Sequence, residues 1–229
     1  EQTRSERSAR RARSPAPHPG SVAAVRVVVV GAGAWGLPAA AELARRGHDV
    51  SLLDRYGPAN QLSSSSGPTR IWRLSHPDRL RVRLAVRSEE AWERLESISG
   101  ITAHLRRGLL WRDTTTWQHV ADALEAEGVE RTVVDPDDVG RWFPGLRPDG
   151  RPAVWQADAG PVLSNHALDA QISLLATARE QGVTLLARHA ARELLTANGH
   201  ITGAMVDTPI GPRGILARRG VVLACGGFP

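Results

Sequence analysis

The chain has 229 residues, 41% of them hydrophobic, with a formal net charge of +5 and a pI near 10.9. Its length excludes a peptide too small to bury a core. Its charge does not indicate a nucleic-acid binder, because Arg4, Arg7, Arg10, Arg11 and Arg13, set against Glu1 and Glu6, supply three of the five net charges and leave the rest near neutral.

Residues 1–21 read as a disordered, Pro-rich basic tail. The sequence opens on Glu1 and its one methionine is Met205, so a partial or processed product is expected. Val25–Val30 is a β-branched run ending at Gly31, the pattern of a buried parallel strand. Gly33 to Gly47 reads as a helix with Ala40, Leu43 and Ala44 on one face and Pro38 in its first turn. Val50–Leu53, ending in Asp54, completes a strand–helix–strand unit with an expected right-handed crossover. Asn60–Pro68 is a polar loop.

Leu80–Ile98 predicts a helix, with Leu80, Leu84, Ser88, Ala91, Trp92 and Leu95 near one face; its long helical period outweighs the local alternation of Arg79, Arg81 and Arg83. Leu109–Trp111 predicts a strand, Gln118–Glu127 a helix closed by Gly128, and Val133-Val134 a short extended piece. Asp135-Pro136 is an N-cap and first-turn pair for a short helix to Trp142. Leu168–Gln181 predicts a further helix, and Val183–Leu186, Ile201–Val206, Ile215–Ala217 and Val221–Ala224 are strand candidates. The pattern is an α/β chain: a Rossmann-type dinucleotide-binding domain, discontinuous over 22–90 and 160–229, with part of an inserted α+β substrate domain at 91–159, and C-terminally incomplete.

Every basic residue except histidine is arginine, so no lysine is present to form a Schiff base or act as a base. Cys225 is the sole cysteine, which excludes an internal disulfide and fits a reducing, cytoplasmic setting. The eight histidines are scattered without an i,i+4 pair, so no metal site is expected. No apolar run is long enough to span a membrane, and no membrane or nucleic-acid partner is expected. The G-x-S-x-G elbow and the Walker A loop are both absent.

Gly31-Ala32-Gly33-Ala34-Trp35-Gly36 is a G-x-G-x-x-G sequence placed between a buried strand and a helix. Gly31 permits the tight turn, Gly33 lets the backbone approach a pyrophosphate, and Gly36 lets helix and strand pack closely. The helix N-terminus offers free N–H groups to phosphate. Asp54 ends the second strand, where a carboxylate can accept from both ribose hydroxyls and would repel a 2′-phosphate. FAD and NAD share this fingerprint. The motif's place at the start of the folded region, and the string from Gly36 through Asp54, resemble the N-terminal ADP-binding unit of two-domain flavoproteins, and so favour FAD.

The stretch Ser63-Ser64-Ser65-Ser66-Gly67-Pro68-Thr69-Arg70-Ile71-Trp72-Arg73 resembles the S-x-x-x-G-D-T-R-I-x-R sequence of the monomeric sarcosine oxidase family, within the D-amino-acid-oxidase-like flavoproteins. Leu84 to Leu95, Arg141 to Leu146 and Ala159 to Leu163 are similar to that family too, and the likeness covers roughly residues 25–190. Pro68 stands where the family has Asp. The resemblance implies an FAD-dependent oxidoreductase that oxidises a secondary amine or amino acid at the carbon next to nitrogen. It implies that Arg70 lies beside the flavin ring, that Arg73 clamps the substrate carboxylate, and that Ala191 offers backbone atoms to adenine. Taken alone, the two arginines read as solvated or ion-pairing; the motif reverses that. Trp35, Ala32, Arg55, Ser65, Ser66, Thr69, Ala224 and Gly226 are the remaining cofactor-side residues expected. The family's oxygen-activating lysine and flavin-attaching cysteine belong to a C-terminal half, which a partner subunit would have to supply, and Cys225 does not match that cysteine.

Ala217 to Pro229 instead looks like the matching segment of fumarate-reductase and ketosteroid-dehydrogenase flavoproteins. That leaves a dehydrogenase of that type, or a catalytically silent fragment of a split flavoenzyme, as alternatives.

Overall fold

The valine run forms the central strand of a parallel sheet. In the computed structural model, which describes residues 24–227, β1 (Arg26–Val30) lies between β12 (Val221–Leu223) and β2 (Asp49–Asp54), with β8 (Val183–Ala187) outside β2. All three pairings are parallel. The tail at 1–21 lies outside the described residues.

Strand alternation sends the side chains of β1 to two different layers. Val27 and Val29, with Val50 and Leu52, meet α1 (Gly36–Arg45) and α5 (Ser164–Glu180). Val28, Val30 and Leu53 face the other way, onto a three-stranded antiparallel meander of β9 (Ala190–Ala197), β10 (His200–Thr208) and β11 (Gly211–Leu216). Burial on both faces explains why β1 is an unbroken apolar run rather than an alternating one.

A second core joins β3 (Thr69–Trp72), paired antiparallel with β7 (Gly160–Leu163), to α2 (Arg79–Ser99) and α3 (Trp117–Ala126). Beside it β6 (Ala153–Gln156) pairs antiparallel with both β4 (Leu109–Arg112) and β5 (Thr132–Val134). Asp135 caps a 3-10 turn at Pro136–Asp138 that runs into α4 (Val139–Trp142), as its Asp-Pro pair predicts.

The α2 face differs from expectation. Leu80 and Leu84 are exposed, whereas Val82 and Leu95 are buried and Ala85, Val86 and Trp92 pack on the second core. The helix turns Val82, Leu95 and Trp92 into the second core, and on its rim side Arg79 and Arg83 both reach Glu127 at the end of α3. The domain boundary expected at residue 90 falls inside α2. Val82 before it and Trp92 after it share one hydrophobic cluster, so a division there would cut both a helix and its core. Strands β3, β6, β7 and β9 were not expected as strands, and α5 begins four residues earlier than the apolar run predicts.

Candidate functional site

The carboxyl ends of β1, β2 and β12 open on a cleft of about 640 Å³. Gly31, Gly33, Trp35, Asp54, Arg55, Ser65, Ala191, Ala224 and Gly226, all expected from sequence, line it. Ala32 and Gly36 are buried in the turn beneath, while Ser66 and Thr69 lie farther along the chain. Clefts beyond the carboxyl ends of parallel strands are where α/β sheets place ligands.

The turn has little room for side chains. Gly31 sits at φ +99°, and a Cβ there would lie 2.3 Å from the Ala224 carbonyl oxygen; one on Gly36 would lie 1.7 Å from the Gly31 carbonyl oxygen. Helix α1 starts without a side-chain cap. Among the described residues the N–H groups of Gly33, Trp35 and Gly36 have no acceptor, whereas Ala32 donates to Asp54 and Ala34 to the Ser65 hydroxyl. Three uncompensated donors at the positive end of a helix make an anion site.

The Asp54 carboxylate is already engaged with the protein. It accepts from the N–H groups of Ala32, Tyr56 and Gly57, each at 2.8 Å, and from the Asn60 amide at 3.4 Å. A carboxylate has about four acceptor positions. Its first task is therefore to bind the glycine turn to the loop after β2, and a ribose hydroxyl would compete with Asn60, the most distant donor.

The serine loop is tied back across that turn. Ser65 N–H donates to the Ser63 hydroxyl, and the Ser66 hydroxyl shares its single proton between the Gln61 and Ser63 carbonyls. Arg70 braces the loop from β3: its guanidinium donates to the carbonyls of Ser64 and Ser66 at 2.6 Å and of Thr69 at 2.7 Å. Arg73, just past β3, stands apart from the cleft, half-buried, with its guanidinium 4.4 Å from the centre of the Trp111 ring. Burial pushes its pKa down. Neither arginine forms an ion pair among the described residues. Burial, together with the charges of Arg73 and Arg81, also holds nearby His76 below its ordinary value, against a smaller opposing effect of Asp78 and a backbone hydrogen bond.

The structure also brings Tyr56, Asn60, Leu62, His189 and Cys225 to the cleft, none of which the sequence singled out. His189 is held by its N–H to the Asp54 carbonyl at 2.9 Å and by its ring Nδ1 to the Ala187 carbonyl at 2.8 Å. Its place follows from β8 pairing beside β2, a non-local contact without a local sequence signal. Cys225 is exposed, because β12 ends two residues before it.

A family model described as DAO, FAD dependent oxidoreductase, matches residues 26–229, including the terminal stretch whose sequence looks like other flavoproteins. Monomeric sarcosine oxidase of Bacillus sp. (strain B-0618) is 31% identical over 150 residues, which are 63% of this chain and 38% of that protein. The Streptomyces avermitilis monomeric sarcosine oxidase is 30% identical over 164 residues, 69% of this chain and 42% of its own. Among solved structures, the open form of NikD, an unusual amino acid oxidase essential for nikkomycin biosynthesis, superposes with a TM-score of 0.68 at 30% identity, over 89% of this chain and 51% of NikD. L-proline dehydrogenase from P. horikoshii gives 0.68 at 25% identity, over 88% and 52%. The matched region is thus about two fifths of the sarcosine oxidases and half of the solved chains.

Proposed function

This chain belongs to the FAD dependent oxidoreductase family, and we propose that it forms the FAD-binding part of an enzyme that oxidises a secondary amine or amino acid at the carbon next to nitrogen. The observation that carries the reading is the pairing of two features. One is a glycine-lined cleft with three free N–H groups; the other is a half-buried arginine with no counter-ion among the described residues.

The cleft fits a dinucleotide. Gly33, Trp35 and Gly36 present their N–H groups to the pyrophosphate, and Gly31 and Gly36 sit where no Cβ fits. Asp54, with Ala32, holds the turn in shape and lends negative charge to the ribose side, which disfavours a 2′-phosphate. Arg55, Ala191, Ala224 and Gly226 line the nucleoside end, and Ser65, Ser66 and Thr69 continue toward the flavin end. FAD, when bound, supplies the two-electron acceptor for the amine carbon. Arg70 fixes the serine loop through the Ser64 and Ser66 carbonyls and would contribute positive charge beside the flavin ring. Arg73 takes the substrate carboxylate through its in-plane N–H groups.

We assign residues 24–68 and 164–227 to the FAD-binding unit and 69–163 to part of the substrate unit, following the two hydrophobic cores rather than residue 90. The groups that complete the catalytic site lie in the half of the relatives that this chain does not span, on a further segment or a partner subunit. None of the helices among the described residues is long and apolar enough to cross a membrane, and we place the enzyme in the cytoplasm on the strength of its single cysteine.

Titration of the chain with FAD, followed by quenching of flavin fluorescence with NAD as competitor, tests the cofactor. Saturable binding that NAD does not displace is expected. Anaerobic addition of sarcosine or L-proline to the loaded protein, together with its completing half, should bleach the flavin absorbance. FAD binding with no bleaching by any secondary amine or amino acid would remove the substrate assignment and leave the cofactor assignment standing.

A further inference from the structure

We infer that Trp111 is a positioning residue for Arg73 and so sets how strongly the site prefers a carboxylate; this rests on the reading of Arg73 as the carboxylate clamp. Arg73 follows β3 and Trp111 lies on β4, in a different sheet and far along the chain. The Arg73 guanidinium carbon lies over the Trp111 ring, 4.4 Å from its centre. A cation–π contact attracts the charge to the ring face without giving its five N–H donors an oxygen acceptor, and a planar guanidinium suits a carboxylate. An ion pair with a protein carboxylate would have consumed those donors, and none forms among the described residues. The aromatic ring therefore holds the cation without satisfying it.

The ring is itself held. The Trp111 indole N–H donates to Asp113 Oδ2 at 2.8 Å. Asp113 in turn accepts from the N–H groups of Thr115, Thr116 and Trp117 and from the Thr116 hydroxyl. Rotating the indole would break a hydrogen bond to an ionised group whose own position is fixed by the first turn of α3. Trp111 is also in register opposite Val154 of β6, whose side chain is fully buried in the second core. The chain of support runs from α3 through Asp113 and Trp111 to Arg73. A long, flexible arginine is thereby restricted to one orientation before a ligand arrives, and preorganisation of that kind appears as affinity.

The test compares wild type with Trp111→Leu, Trp111→Phe and Arg73→Met in the FAD-loaded protein with its completing half. Sarcosine and its amide, N-methylglycinamide, which lacks the carboxylate, are the probes, and binding is read from the perturbation of bound-flavin absorbance. Arg73→Met should abolish the preference for sarcosine over the amide. Trp111→Leu should reduce that preference by about tenfold, the worth of one desolvated cation–π contact, with FAD affinity unchanged. Trp111→Phe keeps an aromatic face and should recover most of the preference. A merely structural role would move FAD affinity and both probes together and would not be rescued by Phe. A Trp111→Leu protein with wild-type preference, beside an Arg73→Met protein that has lost it, overturns the role of Trp111 and leaves the clamp. An Arg73→Met protein with wild-type preference overturns the clamp itself, and the role of Trp111 with it.

Discussion

Gly33 and Gly36 lie three residues apart in one turn, yet an added methyl group meets different obstacles at each. At Gly36 it would sit 1.7 Å from the Gly31 carbonyl oxygen, which belongs to the backbone of the same turn and cannot move without opening it. Gly36→Ala should cost about 3 kcal/mol, the upper range for overpacking, and lose FAD binding with the fold of the loop. At Gly33 the nearest atoms are the Ser63 and Ser65 hydroxyls, each 3.2 Å away, side-chain ends that need to give by only a few tenths of an ångström. Gly33→Ala should keep its stability to within about 1 kcal/mol. Its methyl group then covers the backbone proposed to face the pyrophosphate, and FAD affinity should fall at least about tenfold. Urea midpoints and FAD fluorescence titrations of the two variants separate these effects. Equal loss of stability in both would show that the turn, rather than its approach to phosphate, is what both glycines protect.

Among the elements, α3 depends on a residue outside it. Asp113 accepts from the N–H groups of Thr115, Thr116 and Trp117, which would otherwise be unpaired at the start of the helix. Burial pushes its carboxyl up, but hydrogen bonds from the Thr116 hydroxyl and N–H, the Trp111 indole and the Thr115 N–H outweigh it and bring the group down to about 2. Since the folded value lies below the ordinary 3.8, its stabilisation is complete above that value and disappears as pH falls through about 2. Asp113→Ala should cost about 1–2 kcal/mol at neutral pH, as loss of a helix cap does, and a urea midpoint unchanged from wild type would deny Asp113 that role.

Elements with a local period were legible in the sequence: the buried β1, the long α2, and α1 between its glycines. The rotation of α2 was not, because it depends on which residues meet the second core, a contact between distant elements. Strand β9 was missed because Ala190–Ala197 is rich in helix-forming residues, and pairing with β10 overrides that preference. A signal was nonetheless present: Asn198 and Gly199, at φ +51° and +76°, form the Asn-Gly turn of that hairpin. The same contrast holds at the site. The glycine motif is contiguous and could be read, whereas His189 and Trp111 reach their places only through pairing between distant strands.

At the scale of the whole molecule, two cores share one helix. Leu175 and Ala178 of α5 pack with the parallel sheet, while Ala167, a few turns earlier, packs with the second core. That continuity predicts a single cooperative unfolding transition, and the tryptophans make it observable. Of the seven, Trp72, Trp92, Trp111 and Trp117 belong to the second core and Trp142 and Trp155 to the cluster beside it; Trp35 alone lines the glycine cleft. Tryptophan fluorescence therefore follows the second core, and bound flavin follows the first.

The second core carries a pH lever. His104 is almost fully buried, its ring lies 4.6 Å from that of Trp72, and both ring nitrogens lack a partner among the described residues. Burial, with help from Arg106 and against Glu96 and Asp158, lowers its pKa below 6.5. The unfolded chain thus takes up a proton near 6.5 that the folded chain refuses, so stability is level above that value and declines as pH drops below it. His76 adds a slope of the same sign. Urea unfolding of the FAD-loaded chain at about pH 7.5 and about pH 5.5 should show flavin release and tryptophan exposure at one midpoint, lower at the acid pH by both probes. His104→Leu should flatten most of that difference in both. If only the tryptophan signal responds to pH while flavin release stays fixed, α5 does not couple the cores, and the FAD-binding unit unfolds independently of the substrate unit.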